Sequence, residues 1–478
     1  MECTCLSRKE VKPFVSQKKE RMDYYDNKEQ QREGVGRRKG DGWMNWESWE
    51  FSSWRDAILS CLTPSAYGKR WKAEGRLDEE ELRSCRPRLK QFWLETVEHL
   101  LDLQAMSSIH LCSAVAQPAV VVMSVKMEEL EVFCKQLPKI ELHAHLSGSI
   151  TRECLHEIYK KRKEAEPSIG LEDPMIVIPP GKVDYDLETF FPLFSKYIYQ
   201  LCNDVQSVRY STKRVLQDFE ADGVAYLELR TTPREFKETG MSKEQYVETV
   251  LESIEQYEKD ASTSMKTLLL LSVDRRDSFQ KALGCIDLAI RYKHRGVVGV
   301  DLCGDPLRLQ KGDVTIFREV FAKARENGLG VTLHFAEAAK TSSDEELLVL
   351  LSFKPGRIGH VIHVSDAIRT EISKRKLALE LCISCNVHAK MITGSFQDHH
   401  FRDWWVEKQC PLILCTDDVG VFCSTISNEY VIVAQHFGLT RLQLWELSFQ
   451  TIDPIFGGEE EKMRLRNLMV SWREGNKL

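Results

Sequence analysis

Eight short apolar runs, rich in Val, Ile and Leu, recur from Lys139 onward: KIELHAHL, GVAYLELRTT, TLLLLSVDR, VVGVDLCGD, GVTLHFAE, RIGHVIHV, LALELCISC and PLILCTDD. Such runs are the signature of strands buried on both faces. Between most of them lie stretches with helical spacing, among them SKEQYVETVLESIEQYEK and VTIFREVFAKARENG. The second ends at Gly328, a stop signal for a helix. Eight strand-and-helix units predict an α/β chain, a (β/α)8 barrel over residues 127–478 rather than a doubly wound sheet. No glycine-rich nucleotide fingerprint follows the first run, which counts against a dinucleotide-binding sheet.

Nearly every run ends in polar or ionisable residues. They are His143 and His145, Arg230 to Thr232, Asp274, Gly304 and Asp305, His334 and Glu337, His360, Asn386, and Asp417 with Asp418. In a barrel all strand C-termini face one mouth, so these residues are expected to meet there. Burying so many polar groups at random would be costly.

His143 and His145 are two residues apart on a strand, so both rings face one way. Alone, a His-x-His pair is more often a satisfied core feature than a metal site. Joined by His334 and Asp417, it offers three imidazole nitrogens and one carboxylate, a set that suits one Zn²⁺ with a position left for water. The bland reading of Asp417–Asp418 is a helix cap and a solvated neighbour. Glu337, three residues after His334, is placed to donate a proton or, more simply, to open the next helix at the surface. The pattern is neither the helical HExxH of metalloproteases nor the cysteine-ligated set of cytidine-type deaminases. Cys382 and Cys385 read as core thiols of the seventh strand.

The stretches ELHAHLSGSI, DLCGDP, HFAE, RIGH and CTDD, in that order, resemble the adenosine/AMP deaminase family from about residue 138 to 455. YLELRTTPR, SVDRR, DHHF and TDDVGVF look like the branch that deaminates N6-methyl-AMP. The resemblance implies a zinc enzyme with His143, His145, His334 and Asp417 as ligands and Glu337 as proton donor to purine N1. It further implies that His360 and Asp418 orient the attacking water. The substrate would meet His145, Ser147, Thr231, Thr232, Pro233, Arg234, Asp274, Gly304 and Asp418, with Gly304 letting its backbone approach the purine. Adenosine deaminases typically carry Asp where this chain has Ser147. A carboxylate there would repel a 5′-phosphate, whereas a hydroxyl can donate to it. Arg234 is the first choice for a phosphate contact, with Arg275 and Arg276 as rivals.

The chain departs from the family pattern at three places. Val361 stands where a glycine follows the histidine of RIGH, Ile198–Tyr199 replaces a usual histidine, and Ser147 replaces the branch's Asn. None touches a ligand or the proton donor, so an active enzyme is expected. The rival expectations are a deaminase of adenosine or AMP, a hydrolase of amides or phosphoesters, and a silent zinc-containing binding protein.

Composition changes near residue 126. The preceding segment holds six of ten tryptophans and five of fifteen cysteines, and only residues about 78–104 show a helical period. Residues 1–126 are therefore expected to be an irregular extension, a non-folding leader rather than a docking segment, with Met123 or Met127 as a candidate start of the working protein. A formal charge of −6 gives no reason to expect a general nucleic-acid or anionic-membrane binder. The run Leu111–Val125 is broken by Pro118 and too short to span a bilayer. Fifteen sparse cysteines suit reduced thiols. A cytosolic monomer acting on a small purine nucleotide is the expectation.

Overall fold

In the computed structural model, residues 126–478 are described, apart from 261–262 and 308–313. The expectations for the 78–104 helix, the irregular extension and the start at Met123 lie outside these residues.

The eight apolar runs form eight parallel strands: β1 (Lys139–His145), β2 (Val224–Thr231), β3 (Lys266–Asp274), β4 (Val297–Cys303), β5 (Gly330–Phe335), β6 (Arg357–His360), β7 (Ala378–Leu381) and β8 (Leu412–Leu414). They pair in sequence order, β1 to β8. The seam between last and first strand is made by main-chain bonds, His145 N to Asp417 O at 3.0 Å and Asp417 N to His143 O at 2.8 Å. The sheet is thus the nearly closed barrel expected of a (β/α)8 fold, and every residue of β2 is buried.

Helices pack outside it, and their starts are written locally. Ser242, Ser278, Ser343, Ser365, Thr425 and Thr440 each accept the amide three residues on, satisfying donors that the first turn leaves free. Gly328 stops its helix at φ +72°. The longest connection joins β1 to β2. It sends Leu187–Leu193, a π-turn over Phe194–Ile198 and Tyr199–Leu201 across the cleft at the barrel mouth.

Two runs are shorter as strands than their composition suggests. RIGHVIHV is extended only to His360, because His360 and Val361 both take positive φ, +65° and +57°. LALELCISC ends as a strand at Leu381, and Ile383–His388 is a helix. Cys385 and Asn386 therefore sit on a helix, not on the seventh strand.

The opposite end of the barrel is closed by Phe456. Its ring lies 3.7 Å under the Arg357 guanidinium, and its amide donates to Glu228 Oε1 at 2.5 Å. A Cβ on Gly330 would fall 2.3 Å from that ring, so the strand needs glycine there. Gly330→Ala is expected to lower unfolding free energy by about 1–3 kcal/mol, read as an earlier urea midpoint at unchanged slope.

Candidate active site

Inward-facing positions of the strands carry a chain of buried charges. Glu228 meets Arg357 at 2.7 Å, Arg357 meets Glu380 at 2.6 Å, Glu380 meets Arg230 at 2.8 Å, and Arg230 meets Asp301 at 3.2 Å. All five are fully buried. The chain ends on two histidines, with Glu380 Oε2 2.7 Å from His143 Nδ1 and Asp301 Oδ1 3.1 Å from His334 Nδ1. Burial alone would raise the Glu380 pKa, but Arg230, Arg357 and the His143 bond hold it well below the usual carboxylate range. His334 and Arg230 likewise outweigh burial and hold Asp301 low. Two ionised acceptors therefore fix the imidazole protons of His143 and His334 on Nδ1 and turn both Nε2 lone pairs inward.

Those lone pairs face each other at 3.2 Å. His145 Nε2 lies 3.1 Å from His334 Nε2 and 3.3 Å from Asp417 Oδ1, which is itself 3.5 Å from His143 Nε2. A tetrahedron with metal–ligand bonds of 2.0–2.1 Å has edges of roughly 3.3–3.4 Å. Donor atoms converging at these separations need a proton or a metal cation among them: against burial and Arg230, Asp417 and Glu380 raise the His143 pKa to about 9, and the set of three imidazoles and one carboxylate fits a divalent metal. His360 Nε2 stands farther off, 3.8 Å from Asp417 Oδ2. The second Asp417 oxygen accepts from the Cys385 thiol at 3.0 Å.

Above this cluster, three buried atoms have no hydrogen-bond partner among the described residues: Glu337 Oε2, Asp418 Oδ1 and His360 Nε2. Burial, then the Asp417 charge, pushes the Glu337 carboxyl up to about 8. Burial raises both aspartates. At Asp417 the imidazoles of His143, His360 and His145 reverse this and hold it well below the usual range, whereas Asp418, beside Asp417 and Glu337, stays well above it. One carboxylate is thus kept charged toward the ligand cluster while two acids keep protons in the same pocket. Asp418 fits only because residue 148 is glycine, since a Cβ there would lie 1.4 Å from Asp418 Oδ1.

Backbone strain gathers at the same rim. Ala336, His360, Val361 and Asp417 all have positive φ, which is unusual for residues bearing a Cβ and most so for β-branched Val361. These turns end β5 and β6 abruptly and re-aim Glu337 and His360.

A solvent-open cleft of about 760 Å³ reaches the cluster. Its walls include His145, Ser147, Thr231, Thr232, Arg234, Asp274, Gly304, Glu337 and Asp418, together with Phe190, Phe194, Tyr199, Arg276 and Met391. Pro233 is not among the lining residues. Gly304, at φ +102°, is required by its own turn and by Asp274, whose Oδ1 would lie 2.5 Å from a Cβ. Thr231 bonds the Tyr246 hydroxyl at 2.8 Å. Of the three arginines, Arg275 is buried, donating to the His334 carbonyl and pairing with Glu346 at 3.3 Å. Arg276 is held by Asp274 through two bonds at 2.8 and 2.5 Å. Arg234 stacks 3.4 Å from the Tyr199 ring centroid and bonds its hydroxyl, with no carboxylate partner among the described residues.

Sequence reasoning passed over Glu380, Glu228, Arg357 and Asp301, which hold the charged chain. A signal existed: each sits at an inward, two-residue alternation within an apolar run, as in YLELR and LALEL. The phenylalanines over the cleft and Met391 carried no comparable mark.

A (β/α)8 barrel with three histidines and an aspartate clustered in its interior, and a proton-bearing carboxyl at its mouth, defines a metal-dependent hydrolase. Residues 138–472 match the family model described as adenosine deaminase. The chain belongs to the adenosine deaminase family, whose members are metal-dependent deaminases. It is 38% identical over 355 residues to the N6-methyl-AMP deaminase of Danio rerio, covering 72% of this chain and 97% of that one. The crystal structure of Arabidopsis N6-mAMP deaminase superposes with a TM-score of 0.65 at 37% identity, covering 71% of this chain and 99% of that one. Arabidopsis ADAL complexed with IMP gives 0.65 at 36% identity, covering 71% of this chain and 97% of that one.

Because Asp301 orients His334, Asp301→Asn is expected to weaken divalent-metal binding by about 10–100-fold, measured by competition against a chelator of known affinity. Unchanged affinity would separate the charged chain from the cluster.

Proposed function

We propose that this chain hydrolyses an N6-substituted purine nucleoside 5′-monophosphate, N6-methyl-AMP + H2O giving IMP + methylamine, with one zinc ion per chain. The observation that carries the chemistry is the trio of unpartnered buried atoms, Glu337 Oε2, Asp418 Oδ1 and His360 Nε2, beside the converging His143, His145, His334 and Asp417. The names of the relatives support the substrate.

His143, His145, His334 and Asp417 would hold the zinc, which when bound supplies an activated water at neutral pH. His360 and Asp418 orient that water toward C6 of the purine. Attack at C6 breaks the aromatic π-system, and Glu337, kept protonated by burial, gives its proton to N1. One proton of the attacking water returns to Glu337 and the other passes to N6 as the adduct collapses, so that the C6–N6 bond breaks, methylamine leaves and C6 becomes the carbonyl of IMP. Gly304 and Asp418 face the base, with His145 at its reactive edge. Thr231 at the end of β2, with Thr232 and Pro233 after it, lies against the nucleotide in this reading, and Asp274 at the end of β3 stands behind.

The 5′-phosphate is assigned to Arg234. Arg275 and Arg276 are engaged with other groups, whereas the guanidinium of Arg234 sits over the Tyr199 ring, and Arg234, Tyr199 and Ser147 share the cleft wall. A neutral phenol and hydroxyl leave that positive charge uncompensated, which favours an anion over a free ribose hydroxyl. All these groups come from one chain, so a monomer suffices. Residues 127–478 are the catalytic unit in this reading, and the protein is placed in the cytosol. No helix among the described residues is long and apolar enough to cross a membrane.

Zinc-loaded protein should turn over N6-methyl-AMP faster than AMP or adenosine, followed by ultraviolet absorbance, and a chelator should abolish the rate. Preference for adenosine would overturn the Arg234 and Ser147 assignment. Glu337→Gln should keep one zinc per chain and lose about 10²–10⁴-fold in kcat. Because the acid must carry its proton, activity should fall as pH rises through the Glu337 pKa. A bound dication draws that value below about 8, so the alkaline limb should lie at or under pH 8 and vanish in Glu337→Gln.

A further inference from the structure

His360 is buried and ends β6, and its Nε2 has no partner among the described residues. Its Nδ1 is bonded to Asn386 Nδ2 at 2.9 Å. Asn386 Oδ1 lies 3.1 Å from His399 Nε2, and His399 Nδ1 accepts the main-chain amide of Phe401 at 3.0 Å. All three side chains are buried, at 0–1% exposure.

The direction of this chain is set at its far end. A main-chain N–H can only donate, so His399 Nδ1 must accept, and a neutral imidazole then carries its proton on Nε2. That proton is given to Asn386 Oδ1, which leaves the amide nitrogen facing His360 Nδ1. His360 Nδ1 therefore accepts, and its proton sits on Nε2, aimed at the cluster. Reversing any link would set two donors or two acceptors against each other in a buried place, at about 1–3 kcal/mol. Burial holds His399 well below the usual histidine range, in keeping with a neutral ring.

We propose that His399 and Asn386 are positioning residues that lock His360 as an Nε2–H hydrogen-bond donor toward the attacking oxygen, and so exclude it from accepting that oxygen's proton. This is the opposite tautomer from His143 and His334, whose protons Glu380 and Asp301 hold on Nδ1. Neighbouring imidazoles are thus sorted, two turning lone pairs to the metal position and one turning an N–H to the substrate water. The consequence for catalysis rests on the deaminase reading above; the tautomer does not.

The test uses full-length, zinc-loaded protein with ¹⁵N-labelled histidines. Long-range ¹H–¹⁵N correlation without substrate should show His360, assigned by the signal lost in His360→Gln, protonated on Nε2. A proton on Nδ1 would overturn the proposal. The kinetic arm compares two substitutions that each keep half of the His399 bonds. His399→Gln can still donate to Asn386, while His399→Asn can only accept from Phe401. His399→Asn should lose about 10–100-fold in kcat at little-changed KM, and His399→Gln should keep the larger share of kcat. Equal losses in both variants, or none, would reduce His399 to a packing role and overturn the positioning claim. If the unaltered protein turns over no purine, the deaminase reading fails and the spectrum alone decides the tautomer.

Discussion

The structure turns on one constraint: charges sealed inside the barrel must be neutralised where they stand. Glu228, Asp301, Glu380 and Asp417 are four carboxylates, and only Arg230 and Arg357 oppose them with guanidinium groups in the same chain of contacts. The two negative charges left over match one divalent cation. Buried ion pairs of this kind are weak stabilisers, because desolvation offsets most of their attraction. Their value here lies in geometry. Each carboxylate removes one rotational and one protonation choice from a histidine, so the ligand set is aimed before any metal arrives.

The acids beside the cluster obey the same physics with the opposite outcome. Glu337 and Asp418 are buried beside Asp417 but lack its ring of imidazoles, so they keep their protons. Three carboxyl groups that meet in one pocket thus play different parts through surroundings alone. The strained turns at Ala336, His360, Val361 and Asp417 are the means of placing them, since an ordinary extension of β5 or β6 would carry these side chains past the cleft.

Much of this was legible in the sequence. Apolar runs with polar ends revealed eight strands and which ends mattered, because a buried parallel strand has little freedom in composition. The His-x-His spacing gave a shared face, and distance along the chain did not hide His334 or Asp417. The ends of β6 and β7 were not legible. VIHV and CISC look like continued strands, and only the backbone at Val361 and the helix from Ile383 show otherwise. Glu380 and Arg357 were hidden for another reason: a charge inside an apolar run has meaning only once its partner on another strand is known. Tyr199 was visible as a departure from pattern, yet its bond to Arg234 required the fold of the long first connection.

The seam of the barrel has a consequence for how the molecule is made. His143 and His145 belong to the first strand, and Asp417 follows the last. The two main-chain bonds that join the strands there are formed by these very residues. Emerging from the ribosome, the chain must keep its first strand waiting through more than half its length before the partner exists. Closure of the cylinder and completion of the ligand set are therefore one event. A truncated or stalled product ending before β8 lacks both, and cannot be a partly competent form of the protein.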